Sequence, residues 1–160
     1  MRTVLFVMTL AVAALPALAA APSAEAPAAE TDAAHAAVPR GQVHAVTCGK
    51  DGGLTYHCYV PKAYDPARRW PVVYGFSPGG GAGADAAERW AAVAEDHGWI
   101  VAWSDRASTD RFDADTMRTY ADTLIESVTG RLSVHPERSY ATGFSAGARL
   151  AVAVARARPD

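Results

Sequence analysis

The sequence predicts an α/β fold in which a β-hairpin precedes three strand-helix units. Two observations indicate it. Two runs rich in Val, Thr and Tyr flank a glycine-containing turn within residues 42–61, and three short apolar segments follow, each succeeded by apolar residues at helical spacing. Because strand-helix-strand crossovers are right-handed, the order β-α-β-α-β-α predicts a parallel sheet with helices on both faces.

Two N-terminal segments precede the predicted domain. Residues 1–19 resemble a secretory signal in pattern, with the positive charge of Arg2, an apolar core and a small-residue cleavage site ending at Ala19. Residues 20–40 are rich in Ala, Pro and Glu and predict a disordered linker. We therefore expect a folded domain at 41–160 of a secreted or periplasmic protein. The cleavage site carries no Cys for a lipid, so no membrane anchor is expected.

The net charge and the positions of the histidines and cysteines indicate which ligands and covalent links to expect. The formal net charge is −2 and no basic cluster occurs, so nucleic acid is not an expected partner. Histidines and cysteines show no metal-ligand spacing, so neither a metal nor a cofactor is predicted. Cys48 and Cys58 lie on opposite arms of the hairpin, close to the same predicted height. In an oxidising compartment they predict a disulfide, with two buried free thiols as the alternative.

The first strand-helix-strand unit follows the hairpin. Residues 70–76 form a continuous apolar run, which is typical of a strand buried on both faces. The glycine-rich loop 77–83 comes next, and apolar spacing predicts a helix from Asp85 that ends near His97. Residues 99–104 then predict a second buried strand.

The rest of the chain predicts one more helix, a strand and a last helix. Asp113 is positioned to cap the first of these, whose predicted apolar face comprises Met117, Tyr120, Leu124, Val128 and Leu132. A strand is expected at 139–143 and a helix at 146–158. The junction between them carries the most specific motif in the sequence.

Gly143-Phe144-Ser145-Ala146-Gly147 matches the pattern G-x-S-x-G between a strand and a helix. In this pattern the serine occupies a strained turn, and small flanking residues let neighbouring backbone pass close by. The free N–H groups and positive dipole end of the following helix suit a developing oxyanion. Ser145 is therefore the predicted nucleophile.

Together, the hairpin, the buried strand with its glycine loop, and YATGFSAGARLAVAVA at 140–155 resemble the α/β-hydrolase superfamily. The nearest resemblance is to secreted esterases that include polyhydroxybutyrate depolymerases and feruloyl or acetylxylan esterases. It covers 42–160 and only the first half of that fold. It implies hydrolysis of small or polymeric esters through an acyl-enzyme at Ser145, with an oxyanion hole formed by the N–H of Ala146 and one N–H from the glycine loop.

The glycine loop departs from the pattern of these esterases. Many relatives have His-Gly where this chain has Ser77-Pro78, and Pro78 has no N–H to donate. The resemblance therefore implies Gly79, with Gly80 behind it, as the second oxyanion donor.

The acid and histidine that activate the serine follow it in chain order in this fold, yet no histidine follows Ser145 here and the only later acid is Asp160. The sequence therefore predicts the N-terminal piece of a longer hydrolase. Upstream side chains do not replace the missing groups: His57 is interpreted as a surface residue of a peripheral hairpin, and Asp105 as a solvated loop residue.

Two alternatives stay open. Gly79, Gly81 and Ala84 fit the dinucleotide-binding pattern G-x-G-x-x-A, and Asp105 ends the next strand where a ribose-binding acid is expected. Such an oxidoreductase does not explain the preceding hairpin or the serine motif. The other alternative is a secreted, catalytically inactive binding domain built on a hydrolase scaffold.

Overall fold

The computed structural model of the protein describes four ranges of the chain: 38–49, 53–78, 82–105 and 114–158. The predicted signal at 1–19 and nearly all of the predicted linker at 20–40 lie outside these ranges, so both stay predictions. No helix within the four ranges is long and apolar enough to cross a membrane.

The elements occur in the predicted order, a hairpin followed by β-α-β-α-β-α. The strands are β1 (Val43–Cys48), β2 (Leu54–Tyr59), β3 (Trp70–Phe76), β4 (Ile100–Ser104) and β5 (Val134–Gly143). The helices are α1 (Gly83–His97), α2 (Ala114–Thr129) and α3 (Ala146–Ala157). Asp113, the predicted cap of α2, lies outside the described residues.

The five strands form one mixed sheet in the order β1-β2-β4-β3-β5. β3 and β4 are parallel, as are β3 and β5, whereas β2 pairs antiparallel with both β1 and β4. The hairpin therefore joins the sheet at one end of its strand order, with β1 outermost and β2 paired with β4. Its own burial explains why: Leu54, Tyr56 and Cys58 alternate along β2 and are all buried, so β2 needs a neighbouring strand and a covering helix.

Helices cover both faces of the sheet, which confirms the predicted α/β architecture. On one face, α1 packs through Ala87 and Ala94 against side chains of β3 and β4 that include Trp103. On the other face, α2 and α3 bury Leu124 and Leu150 in a larger cluster with the remaining strand side chains. Full burial of a leucine side chain contributes about 2 kcal/mol, so both helices are held mainly by these faces.

β5 begins at Val134, five residues before the predicted start at Ser139. Its register against β3 shifts in this added part: Trp70 pairs with Val134, whereas Val72 already pairs with Ser139. The additional residues therefore bulge from the ladder, and they include Pro136, which lacks a ladder N–H. Among the described strands β5 has a hydrogen-bonded neighbour on one side only, β3, and a strand in that position tolerates proline and bulges.

The predicted disulfide between Cys48 and Cys58 was wrong: both thiols are free. The β1–β2 register pairs Cys48 with Leu54 and pairs Cys58 with His44, so the two cysteines are four positions apart along the hairpin. At about 3.3 Å per residue they are roughly 13 Å apart, about twice the usual Cα separation of a disulfide. Burial raises the pKa of the Cys58 thiol to about 12, which keeps it protonated.

Candidate active site

Ser145 lies between β5 and α3 in an unusual backbone conformation, with φ 53° and ψ −116°. It is the one non-glycine residue with positive φ among those described. Such a conformation costs an L-residue on the order of 1–3 kcal/mol and persists only where the surroundings impose it. The serine is exposed and begins α3, as predicted for a nucleophile raised at the carboxyl edge of the sheet.

Two glycines impose this conformation through close backbone packing. A Cβ on Gly147 would overlap the backbone carbonyl of Phe76 at the end of β3, and a Cβ on Gly143 would overlap the backbone of Gly147. The Phe76 carbonyl oxygen also accepts a hydrogen bond from the Phe144 N–H at 3.4 Å. Because Gly143 and Gly147 have no side chains, the backbone of the turn packs directly against β3. This contact places the serine above the edge of the sheet.

Ala146 is buried at the first position of α3. The next two N–H groups are engaged within the turn, since Gly147 donates to the Phe144 carbonyl at 2.9 Å and Ala148 donates to the Ser145 carbonyl at 3.1 Å. The Ala146 N–H has no backbone acceptor among the described residues. It is thus available as an oxyanion donor beside the serine, with the positive end of the α3 dipole behind it.

The other predicted oxyanion donors, Gly79 and Gly80, lie outside the described residues. The residues that flank them are described. Ser77 is buried, and its hydroxyl oxygen accepts a hydrogen bond from the Trp103 indole Nε1 at 2.8 Å. On the far side, the N–H of Gly83 donates to Asp105 Oδ1 at 3.1 Å. Ser77 and Gly83 therefore both lie beside the carboxyl end of β4.

His57 and Asp105 form a pair that the sequence patterns did not predict. The His57 Nε2 lies 3.1 Å from Asp105 Oδ2, and the two side chains are only 17% and 27% exposed. The interpretation of His57 as a surface residue and of Asp105 as a solvated loop residue was therefore wrong. Antiparallel pairing of β2 with β4, which sets His57 opposite Trp103, brings the two together. The alternating buried residues of β2 indicate that another strand lies beside it, but they do not show which strand that is.

None of the described histidines is positioned to serve Ser145 as a base. β2 is three strand positions from β5, so His57 is roughly 14 Å away at about 4.8 Å per strand. His44 lies on β1, farther still, and burial lowers its pKa. His97 ends α1 and His135 is near the start of β5, both at the opposite end of the sheet. Hydrogen-bond reach is about 3 Å, so these positions exclude direct proton transfer.

The dinucleotide alternative finds little support in the described part of its motif. Gly79 and Gly81 lie outside the described residues, and Ala84 is in the first turn of α1. Asp105, which would bind the ribose, has one carboxylate oxygen against Gly83 and the other against His57. The described residues also contain no group of three or more His, Cys, Asp or Glu side chains that could hold a metal ion.

Solved structures of hydrolases resemble this chain. A thermophilic carboxylesterase cloned from a metagenomic library superposes on 80% of the chain with TM-score 0.58 and 21% identity. A dienelactone hydrolase-like promiscuous phosphotriesterase, also from metagenomic libraries, covers 72% with TM-score 0.55 and 20% identity. A poly(3-hydroxybutyrate) depolymerase from Bordetella parapertussis covers 68% with TM-score 0.51 and 21% identity. No family model matches the sequence, and no curated protein matches it.

The chain spans 46%, 54% and 45% of the lengths of these three proteins, respectively, which is less than two thirds in each case. The likeness extends over most of the chain, including the mixed sheet with helices on both faces. The structural neighbours and the strained serine turn agree with the resemblance seen in the sequence. The protein therefore has the fold of the α/β-hydrolase superfamily.

Proposed function

We propose that the protein is an exported serine hydrolase that acts on carboxylic esters through an acyl-enzyme at Ser145. The observation that carries this proposal is the backbone of Ser145, held at positive φ between two glycines that pack against backbone. A protein keeps such strain where the surroundings impose it, and strained residues cluster at functional sites. The turn raises the hydroxyl at the carboxyl edge of the sheet, where ligands bind in open α/β folds.

The proposed reaction begins with attack of the Ser145 hydroxyl oxygen on the ester carbonyl carbon. The carbonyl oxygen becomes an oxyanion, held by the N–H of Ala146 and by a second donor from Gly79 or Gly80. The C–O bond to the alcohol then breaks, and the alcohol leaves with a proton. Water next attacks the acyl-enzyme, releasing the acid and restoring the hydroxyl. Loss of a single oxyanion donor from such a site costs about 10²- to 10³-fold in rate.

A serine hydroxyl is a weak nucleophile without a base. Since no histidine follows Ser145 within the 160 residues, we include in the proposal a histidine and an acid from sequence beyond Asp160. Their position after the serine matches the chain order of the fold. The lengths of the structural neighbours support this part, since the chain spans about half of each of the three esterase-like proteins described above.

Small or polymeric esters are the proposed substrates. Two solved neighbours are described as a carboxylesterase and a poly(3-hydroxybutyrate) depolymerase. The side chain next to the nucleophile supports an apolar substrate, since Phe144 is 75% exposed beside Ser145. An exposed aromatic ring beside the nucleophile offers apolar contact to an acyl chain or a polyester segment.

A fluorophosphonate probe tests the nucleophile directly. We expect slow covalent labelling of the 160-residue protein, with the adduct located on Ser145 by peptide mass spectrometry. Ser145→Ala abolishes this labelling. Ser139→Ala, which removes another exposed serine hydroxyl six residues earlier on β5, leaves it unchanged.

Two other outcomes of the labelling experiment favour different conclusions. Equal labelling of the wild-type protein and of Ser145→Ala places the reactive group elsewhere and ends the assignment of Ser145. A folded wild-type protein that takes up no probe favours the alternative of an inactive binding domain on a hydrolase scaffold. If Ser145 is the nucleophile, slow labelling is expected even without a base, because an oxyanion hole by itself retains some catalysis.

A further inference from the structure

The side of β5 that faces away from β3, its outer side, has no hydrogen-bonded neighbour among the described strands. The Phe144 N–H donates to the Phe76 carbonyl of β3 at 3.4 Å. Backbone groups alternate in direction along a strand, so the even-numbered residues of β5 direct N–H and C=O toward β3. The backbone groups on the outer side therefore belong to Ser139, Ala141 and Gly143. No hydrogen bond joins these groups to another described residue.

The features that discourage pairing with a further strand all lie in the first half of β5. Proline, charged side chains and bulges are such features, and this half contains Pro136, Glu137, Arg138 and the shift in register. From Ser139 to Gly143 the pairing with β3 is regular, and the residues include neither a charge nor a proline. Residues 139–143, the regular segment, are therefore open to pairing with another strand.

Two aromatic side chains at the regular segment are exposed. Tyr140 is 45% exposed and Phe144, directly after the segment, is 75% exposed. Tyr140 lies on the sheet face that α1 covers, because its ring centroid is 6.3 Å from that of Trp99, which packs in the cluster beneath α1. The strand at the other end of the sheet, β1, carries no exposed large apolar side chain. Exposed apolar side chains beside unpaired backbone mark the outer side of β5 as an interaction surface.

The regular segment is complementary to itself about a two-fold axis. An antiparallel pairing centred on Ala141 sets Ser139 opposite the second copy's Gly143, and Ala141 opposite the same residue of the second copy. Every outer N–H then meets an outer C=O. The same register sets Arg138 opposite the second copy's Phe144, which is the exposed ring, so a guanidinium meets an aromatic side chain twice by symmetry. No two like charges lie opposite each other in this arrangement.

We propose that the protein forms a two-fold dimer through the outer side of β5, in which residues 139–143 of two copies pair antiparallel. The dimer is independent of ester hydrolysis, because it uses backbone groups of β5 and no catalytic group. The chain's own residues 20–37 do not supply a matching strand, since they contain Pro22 and Pro27 and no Val, Ile, Leu, Phe, Tyr or Trp. A single short ladder makes a small interface, so the dimer is reversible and of micromolar affinity.

Sedimentation velocity between about 1 and 100 µM protein measures the association. We expect monomer to convert reversibly to dimer over this range. Tyr140→Lys places a charge beside the ladder and weakens dimerisation at least about tenfold. Phe144→Ala removes the ring opposite Arg138 and weakens it about threefold to tenfold. Val93→Lys is the matched control: Val93 is 44% exposed, as Tyr140 is 45% exposed, but it lies on α1, so dimerisation stays unchanged.

Disulfide crosslinking tests the register. The pairing sets Tyr140 opposite the second copy's Thr142, with Cα atoms about 4.5 Å apart, which is within the range of a disulfide. We expect an equimolar mixture of Tyr140→Cys and Thr142→Cys proteins to form a linked dimer on mild oxidation. Either variant alone links at most about one-tenth as far, because its cysteines lie two positions out of register and roughly 8 Å apart. The single variants also control for the native free thiols, Cys48 and Cys58.

Four results would overturn the proposed dimer, and they are distinguishable. A protein that stays monomeric at about 100 µM has no such interface. Equal weakening by Tyr140→Lys and Val93→Lys places the contact on another surface. A dimer whose mixed cysteine variants link no further than each variant alone does not pair in this register. A monomer in which the amides of Ser139, Ala141 and Gly143 exchange slowly has this side of β5 covered by a segment of the same chain.

Discussion

Two strand-helix junctions meet at the carboxyl edge of this sheet, and they are held by opposite means. The β5–α3 junction, which carries Ser145, is held by backbone packed on backbone, with Gly143 and Gly147 providing the space. The β3–α1 junction is held by side chains, since Trp103 on β4 donates to Ser77 and Asp105, the residue after β4, accepts from Gly83.

The difference has a consequence for how each junction is encoded. Close backbone packing requires small residues at fixed offsets along one segment, so the β5–α3 junction leaves the local signature G-x-S-x-G. The β3–α1 junction depends on partners at sequence separations of 22 and 26 residues, and no local pattern records them. A junction that depends on glycines at fixed positions can thus be predicted from a local sequence pattern. A junction that depends on side chains distant in sequence cannot.

The largest effect is expected from a substitution that disrupts the backbone packing of the β5–α3 junction. Gly147→Ala places a methyl group against the Phe76 carbonyl, which is backbone and cannot rotate away, so α3 must shift. We expect a loss of about 3 kcal/mol in the free energy of unfolding, measured by urea denaturation. Gly130→Ala serves as control: its Cβ would lie 3.1 Å from the Glu126 carbonyl, a milder contact at the exposed end of α2. Equal losses in both variants contradict the packing argument.

An intermediate effect is expected at the side-chain-held junction. Trp103→Phe removes the indole donor and leaves the Ser77 hydroxyl, which is 3% exposed, without that partner. The expected loss is about 2 kcal/mol in urea denaturation. Trp90→Phe is the matched control, because Trp90 packs on Trp103 at 5.9 Å between ring centroids but lies half-buried on α1. A Trp90→Phe loss as large as that of Trp103→Phe would assign the effect to ring packing rather than to the hydrogen bond.

The smallest effect is expected from relief of the backbone strain at Ser145, in the turn between β5 and α3. Glycine adopts positive φ without steric cost, so Ser145→Gly relieves the backbone, while Ser145→Ala keeps it strained. After the entropy that glycine gains in the unfolded chain is allowed for, we expect Ser145→Gly to be about 1 kcal/mol more stable than Ser145→Ala. Thermal unfolding of the two variants side by side makes the comparison. A Ser145→Ala protein that is more stable than Ser145→Gly by the roughly 1 kcal/mol of glycine entropy shows that the turn stores no strain.

The order of elements was predictable because each one is coded within a few residues. The continuous apolar run of β3 and the helical spacing along α1, α2 and α3 predicted these elements within a few residues of their observed ends. The start of β5 was predicted five residues late, because Pro136 and a bulge interrupt the local strand pattern. A strand at the end of a sheet tolerates both, and the sequence does not show that β5 lies at the end of the described strand order.

The site was predictable in part for the same reason. Ser145 with its flanking glycines was found from a local motif, while the pairing of His57 with Asp105 was not, since it spans 48 residues and depends on β2 lying beside β4. The disulfide was predicted from two cysteines on opposite arms of a hairpin. The register that separates Cys48 from Cys58 by four positions decides against it.

By itself, the sequence determined the α/β class of this protein, the order of its strands and helices along the chain, and the serine at the turn before α3. These depend on apolar periodicity and on glycine placement, which act over a few neighbouring residues. The tertiary structure alone decided which strands pair, which face each helix covers, and that Asp105, paired with His57 of β2, accepts a hydrogen bond from Gly83. Those features depend on burial and hydrogen bonds between segments far apart in the chain, so they exist only once the chain has folded.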